Sequence, residues 1–289
     1  MSRVDPGLRA NFVGVGVNVG LAVAKLVVGV IAGSQALVAD GYNSAGDVVA
    51  TAIAAGAYRF AMQPADDNHP YGHGNAESVA GLVIGVLLFA TGGYITLSGA
   101  VALAQGVTEP PGFWALPVAA ATIVVKELLY RYTIAVGRRL NSPSLKASAR
   151  DHRADVASAL AVLLGVAGAR MGLPWLDPVA AMLIGVWIAW MAMEPIRENL
   201  GVLMDESDPA QAERIRLLAR EVDEVREVSD VRVHPMGSYV VVDLEIFVDG
   251  SLSLFEAHEL AHAVEEHVKT REEHVVDVTV HVNPTGLRD

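Results

Sequence analysis

DHRADVASAL, residues 151–160, begins an apolar segment long enough to cross a lipid bilayer and yet carries four ionisable side chains. A charged side chain at the bilayer centre costs about 2.5–3.5 kcal/mol on insertion scales, so each one needs a compensating interaction. Asp151 and Asp155 are four residues apart and therefore share one helix face. His152 is rotated by about 100° from Asp151, so the helical period places it on a different face. The stretch predicts a membrane-spanning helix with a functional polar face.

A second apolar segment repeats this spacing in ADGYNSAGD, residues 39–47. Asn43 and Asp47 are four apart, and Asp40 lies on nearly the same face. If the two helices pack together, three carboxylates and one amide oxygen converge and form a divalent-cation site. The residues of this predicted site are Asn43, Asp47, Asp151 and Asp155. A structural interpretation, with Asp151 as a helix N-cap and Asn43 as an interhelical hydrogen-bond former, explains single residues but not the matched pairs.

Six apolar stretches are long enough for a bilayer, which takes about 20 helical residues. They cover residues 11–32, 36–60, 76–104, 113–136, 150–171 and 177–196, separated by Pro- and Gly-containing connections. Arg59, Arg138 and Arg197 belong to the basic ends of spans two, four and six, which places both termini in the cytoplasm. Lys25, Lys126 and Glu127 also lie within spans and need partners of their own, in a structural or coupling role.

The charge composition changes after the sixth span. Residues 201–289 contain 20 acidic and 8 basic residues, which accounts for the whole net charge of −12. We therefore predict a membrane domain over 1–204 and a cytoplasmic regulatory and dimerisation domain over 205–289. The period of the tail predicts the order α-β-β-α-β, a small ferredoxin-like α+β domain. Its acidity argues against a nucleic-acid partner, and the absence of cysteine excludes disulfides and thiolate ligands.

The tail contains HELAH, residues 258–262, which matches the H-E-x-x-H pattern of zinc hydrolases. A hydrolase of the extended type would have Gly and His where this chain has Glu265 and Val268. A domain of this size also leaves little room for a substrate cleft. We therefore expect that the protein is not an enzyme, and we keep the hydrolase as an alternative of a different class. A metal sensor without transport is a further alternative.

Three segments together resemble the cation diffusion facilitator family: ADGYNSAGD, the connection PADDNHPYGHGNAE at 64–77, and the D-x-x-x-D of span five. The resemblance implies a homodimeric exporter of divalent transition metals, coupled to inward proton movement and embedded in a bilayer, such as a bacterial inner or cell membrane. It also implies a transport site made of the four residues named above. Zinc-moving relatives usually have histidine where this chain has Asp151, and often where it has Asn43.

The chain therefore departs from the zinc pattern at both positions. An all-oxygen set favours Mn²⁺ over Zn²⁺, which prefers nitrogen or sulfur ligands. The pattern resembles the manganese-exporting branch of the family, with Mn²⁺ as substrate rather than as a cofactor. Fe²⁺ and Zn²⁺ remain alternatives, because His152 is one residue from a ligand position and a shifted alignment restores a zinc-like set.

Two further metal sites follow from the resemblance. In the connection between spans two and three, Asp66, His69 and His73 match residues with which relatives bind a second metal; the alternative is a solvated, charge-rich loop. In the tail, His258 and His281 match residues that bind a regulatory divalent metal with partners from the other subunit. Glu245 stands where relatives carry histidine, and Asn283 where some carry aspartate, so the tail site is weakened or retuned.

Overall fold

Six long helices followed by a small α/β segment form the chain in the computed structural model, which describes residues 6–106, 109–139 and 143–285. The helices are α1 (Pro6–Ala32), α2 (Gln35–Ala61), α3 (Asn75–Gln105), α4 (Ala115–Arg139), α5 (Pro143–Arg170) and α6 (Leu176–Leu203). The predicted fold class is confirmed. The two predicted domains, 1–204 and 205–289, include residues 1–5 and 286–289, which lie outside the described ranges.

Four of these helices are long and apolar enough to cross a membrane by length and composition. The four segments are Phe12–Ala32, Asn75–Gln105, Ser148–Arg170 and Leu176–Leu203. The other two, α2 and α4, carry charged side chains in their interiors, including Asp47 on α2 and Lys126 on α4. These charged residues make the two helices less apolar than the other four. Asp47 and Lys126 also lie at the candidate site described below.

Two helix ends differ from the prediction. The fifth helix begins at Pro143 rather than at residue 150, because its first turns are polar and hydropathy does not detect them. The sixth continues to Leu203 rather than ending near residue 196, with Pro195 inside the helix. Proline removes one helical hydrogen bond, but the surrounding turns continue the helix beyond it.

The chain forms two compact units. One, the site unit, consists of residues 1–53 and 84–194; the other, the tail unit, consists of residues 54–83 and 195–289. The core of the site unit is built largely from small and β-branched side chains, such as Ala119 on α4, Val162 on α5 and Ala181 on α6, all essentially buried. Small side chains let helix backbones approach closely, as is common between helices in membranes.

The tail unit contains a three-stranded sheet and two helices that pack on it. Its elements are α7 (Pro209–Arg220), β1 (Glu227–Met236), β2 (Tyr239–Val248), α8 (Leu254–Arg271) and β3 (Val275–Pro284). The strand order is β1-β2-β3, with β1 and β2 antiparallel and β2 and β3 parallel. The predicted order α-β-β-α-β is thus confirmed.

One face of each tail helix is buried against this sheet. Ile215 on α7 and Val264 on α8 are fully buried, as is Val242 on the central strand. The β1–β2 connection is a two-residue turn in which Gly237 has a φ of 66°, a backbone conformation that glycine adopts without strain. The predicted turn around HPMGS is therefore present, although His234 and Pro235 still belong to β1.

Candidate functional site

All four residues of the predicted transport site line one cavity of about 310 Å³ in the site unit. Asn43 and Asp47 reach it from α2, and Asp151 and Asp155 reach it from α5. The i and i+4 spacing on each helix is what directs both members of a pair to the same side. The polar faces of α2 and α5 therefore line the same cavity, as the sequence predicts for two helices that pack together.

The four residues differ in burial. Asp155 is buried, Asn43 and Asp47 are partly buried, and Asp151 is exposed. Asn43 donates a hydrogen bond from Nδ2 to Asp155 Oδ1 over 3.3 Å, which joins the two helices directly. The ligand oxygens of the three aspartates do not all lie within 4.8 Å of one another, so the described arrangement is an open set rather than a closed cage.

A lysine from α4 contacts the same carboxylate. Lys126 Nζ forms a short ion pair with Asp155 Oδ2 and also donates to Asn18 Oδ1 over 2.8 Å. Lys126 is fully buried. The sequence indicates that this lysine needs a partner but does not select one, because 29 residues separate it from Asp155. Asn18 on α1 also lines the cavity and is not singled out by any sequence pattern.

A second buried ion pair lies between α1 and α2 in the same unit. Lys25 Nζ is 2.7 Å from Asp40 Oδ2, and both side chains are fully buried. Lys25 also donates to Ser44 over 3.0 Å, and Asp40 accepts from Ser158 over 3.0 Å. This network accounts for two of the charges within the spans, and neither Lys25 nor Asp40 lines the cavity of the four predicted ligands.

His152 is placed differently from its prediction. The helical period assigns it to another face from Asp151, yet His152 is buried and lines the same cavity. The reason is that the cavity extends around α5 far enough to meet a side chain about 100° away. His152 is thus adjacent to the predicted ligands and not directed away from them.

In the tail unit, the structure brings together Asp66, His69 and His73. One ligand atom of each lies within 4.8 Å of the others, and this is the one such group of three found among the described residues. Asp66 Oδ1 is 3.1 Å from His69 Nδ1, and Asp66 Oδ2 is 3.5 Å from His73 Nε2. His73 is buried, whereas Asp66 and His69 are exposed. One carboxylate and two imidazoles form a donor set suited to a transition metal.

The loop backbone holds this carboxylate in place. The backbone N–H groups of Asn68 and His69 donate to Asp66 Oδ1 over 2.9 and 2.8 Å. The hydrogen bond from the His69 backbone is the main reason why the pKa of Asp66 lies below its ordinary value. Tyr239 Oη anchors the end of the loop, because it accepts from the Gly74 N–H and donates to the Tyr71 carbonyl.

The three predicted tail ligands are not brought together as a group in the described chain. Glu245 and His281 are register partners on β2 and β3, and both Glu245 oxygens accept hydrogen bonds, from Asn283 over 2.6 Å and from Ser229 over 2.9 Å. His258 lies on α8, where its ring contacts that of His262 at 4.5 Å. The prediction that His258 completes a site with partners from another subunit stays a prediction.

Comparison with known proteins places these observations in a family. Residues 11–204 match the family model described as the cation efflux transmembrane domain, and residues 208–285 match the cation efflux protein, cytoplasmic domain. The chain is 32% identical to the manganese efflux system protein MneP of Bacillus subtilis (strain 168), over 92% of each chain. It is 34% identical to the magnetosome protein MamB of Magnetospira sp. (strain QH-2), over 94% of this chain and 93% of the relative.

A third relative is the manganese efflux system protein MneS of Bacillus subtilis (strain 168), 29% identical over 98% of this chain and 99% of the relative. The similarity to all three extends over nearly the full length of both partners. The relatives therefore share both halves of the chain, the helical part with the cavity and the small α/β part.

Proposed function

The chain belongs to the cation efflux, or cation diffusion facilitator, family of multi-pass membrane transporters, and from that premise we propose that this divalent metal transporter exports Mn²⁺ in exchange for protons. The observation that carries the proposal is the single cavity lined by Asn43, Asp47, Asp151 and Asp155. We propose these four residues as the transport site, and residues 1–204 and 205–289 as the membrane and cytoplasmic domains.

The choice of metal rests on the donor atoms. Three carboxylates and one amide supply only oxygen, which suits Mn²⁺ better than Zn²⁺. Two relatives are named manganese efflux proteins, which supports the same choice. MamB, at similar identity, is named for the magnetosome, so the names alone do not decide the metal. Fe²⁺ and Zn²⁺ are therefore the competitors against which the proposal is tested.

The mechanism we propose is alternating access. Mn²⁺ enters from the cytoplasmic side and binds the oxygens of α2 and α5, and rocking of the helices then opens the cavity to the other side. Carboxylates bind a metal only when deprotonated, so protons that reach the carboxylates of the site from outside, Asp47 among them, displace the ion and favour its release. The protons then leave toward the cytoplasm when the cavity opens inward again, which gives exchange in opposite directions.

Two other parts of the chain contribute to this proposal. The match of residues 208–285 to the cytoplasmic domain of cation efflux proteins supports a homodimer formed through the tail, with both termini in the cytoplasm. Asp66, His69 and His73 form a second metal site that binds the ion before or between transport events. A regulatory metal at His258, His281 and Glu245 requires the partner subunit.

The experiment is metal and proton flux through the purified protein in sealed vesicles. We expect Mn²⁺ uptake coupled to proton efflux, with Mn²⁺ preferred over Fe²⁺ and Zn²⁺ in competition. Asp47→Ala and Asp155→Ala should abolish flux while the purified protein keeps its size and helical content. Glu127→Ala is the matched control, because Glu127 pairs with Arg131 and does not line the cavity. Full activity in Asp155→Ala would exclude the proposed site.

A further inference from the structure

Lys126 brings a charge to the proposed site from a third helix, and neither the donor set nor the family match assigns it a role. It reaches Asp155 from α4, whereas the proposed ligands all come from α2 and α5. Its ammonium is fully buried and has two partners, the Asp155 carboxylate and the Asn18 amide oxygen. This buried ammonium is a cation that the protein itself supplies in contact with one of the proposed ligands.

The two Asp155 oxygens are both engaged. Oδ2 carries the ion pair with Lys126, and Oδ1 accepts from the Asn43 amide. A divalent cation that binds Asp155 has to use lone pairs on the same two oxygens. Two cations cannot lie in contact with one carboxylate in a buried cavity without strong repulsion, because like charges interact more strongly away from water. Binding of the metal and the Lys126–Asp155 contact are therefore mutually antagonistic.

We propose that Lys126 is a tethered competitor of the transported cation for Asp155, and that it sets the affinity of the site low enough for release. This inference rests on the proposed function. In it, the incoming metal displaces the ammonium from Asp155 toward Asn18, which already accepts a hydrogen bond from it. When the metal leaves, the ammonium returns to Asp155, so that the carboxylate is not left unpaired in the membrane.

The formal charges agree with this role. Asp47, Asp151, Asp155 and Lys126 together carry −2 when all are ionised, which one divalent cation neutralises. Without the lysine the three carboxylates would carry −3, and a bound dication would leave one negative charge over. Transport requires a site that binds the ion firmly enough for entry and weakly enough for release. A tethered positive charge beside the site lowers the affinity for the metal and so favours release.

The test is the Mn²⁺ dependence of flux in vesicles for two variants with opposite expectations. Lys126→Met keeps the apolar stem and removes the charge, so KM for Mn²⁺ should fall by about tenfold, and kcat should fall with it because release slows. Lys126→Arg keeps the charge and adds a forked donor that holds a carboxylate more firmly, so KM should rise. If Lys126 merely positioned Asp155, both variants would move KM upward.

The matched control is Arg131→Met, which removes a positive charge from the same helix at a residue that pairs with Glu127 and does not line the cavity. Its KM for Mn²⁺ should stay at the wild-type value. An unchanged or raised KM in Lys126→Met, with active wild-type protein, overturns the competitor role and leaves the transport site intact. Absence of Mn²⁺ flux in the wild type instead overturns the proposed function. If Lys126→Met does not fold, Lys126→Gln, which is also uncharged, takes its place, and a KM that does not fall in it overturns the competitor role.

Discussion

At the scale of single residues, the donor atoms at two positions determine which metal the cavity should prefer. By the family resemblance, Asp151 stands where zinc-moving relatives usually have histidine and Asn43 where they often do, and both line the cavity. Oxygen ligands suit Mn²⁺, and imidazole suits Zn²⁺. His152 lies beside Asp151 in the same cavity, so an imidazole is already close by. The metal preference therefore depends on whether the histidine or the aspartate binds the ion.

The first prediction concerns the replacement of these two oxygen donors by imidazole. Asn43→His with Asp151→His should raise the Zn²⁺-to-Mn²⁺ ratio of kcat/KM by about tenfold or more, which corresponds to ~1.4 kcal/mol of differential binding. The measurement is competition transport of the two metals in the same vesicles. His152→Gln is the comparator: if His152 were the true ligand, this single change would abolish Zn²⁺ and Mn²⁺ transport alike, and the oxygen set would be misassigned.

The second prediction concerns Asp66, which contacts both His69 and His73. Asp66→Ala removes the one carboxylate of the group, and the number of divalent ions bound per chain should decrease by one. Asp67→Ala, the neighbouring acidic residue outside the group, is the control and should leave the stoichiometry unchanged. Equilibrium dialysis with Mn²⁺ and Zn²⁺ measures both. Equal stoichiometry in Asp66→Ala would mean that these residues form only a solvated loop.

At the scale of elements, α2 begins at a carboxylate supplied by another helix. Asp177, at the start of α6, accepts from the Gln35 N–H over 2.6 Å and from the Ser34 hydroxyl over 2.7 Å. The first N–H groups of a helix have no partner within it, so a side chain must satisfy them when the helix end is buried. Asp177 is 2% exposed and does this for the helix that carries Asn43 and Asp47.

The third prediction follows from this cap. Asp177→Ala leaves buried N–H groups without an acceptor and should lower the free energy of unfolding by about 1–3 kcal/mol. Asp177→Asn keeps one acceptor oxygen and should cost less. Thermal unfolding of both variants in detergent measures the difference. Because α2 holds half of the proposed transport site, we also expect a reduced kcat in Asp177→Ala. An unfolding temperature of Asp177→Ala equal to that of the wild type would show that the cap does not stabilise α2.

How much of these elements could be predicted from the sequence depends on what terminates them. Gly and Pro connections placed α2 at 36–60, against Gln35–Ala61 in the structure. Hydropathy does not detect the start of α5, because its first turns are polar, or the end of α6, because a single proline does not terminate a long helix. The two pairs of oxygen donors, Asn43 with Asp47 and Asp151 with Asp155, follow from the helical period alone. The partners of Lys25 and Lys126 do not, because they depend on how helices distant in sequence pack together.

The fourth prediction concerns the first turn of α8. Ser253 and Glu256 form a capping box, and the hydrogen bond from the Ser253 hydroxyl holds the pKa of Glu256 below its ordinary value. A carboxylate with a lowered pKa in the folded state contributes stability that is present above its unfolded pKa. That stability is lost as pH falls through the folded pKa, which lies below the ordinary glutamate value.

We therefore expect Glu256→Ala to reduce the amide protection of residues 254–258 at pH 7 and to have little effect near pH 2. Glu266→Ala, an exposed change in the middle of the same helix, is the control and should reduce protection at neither pH. Hydrogen exchange, corrected for its intrinsic pH dependence, provides the measurement. Equal loss of protection at both pH values would mean that the ionised carboxylate is not what stabilises this turn.

At the scale of the whole molecule, the cavity and the acidic tail belong to different compact units of the chain. The cavity, the Lys126–Asp155 contact and the Lys25–Asp40 pair all lie within residues 1–53 and 84–194. The tail unit has its own sheet, its own apolar core and the Asp66 group. A transporter needs the first set of residues for flux. A metal sensor without transport would need only the second.

Removal of residues 206–289 distinguishes these two functions. Because the cavity and its ion pairs are retained, we expect the shortened chain to transport Mn²⁺ with kcat reduced by about tenfold at most, equivalent to ~1.4 kcal/mol of activation free energy. The loop that carries Asp66 loses its contact with Tyr239, so the main effect should be a higher KM if that loop collects the ion. Asp155→Ala in the shortened chain is the control and should again abolish flux. Vesicles that stay impermeable to Mn²⁺ with the full-length wild type, while the tail still responds to metal, would favour the sensor.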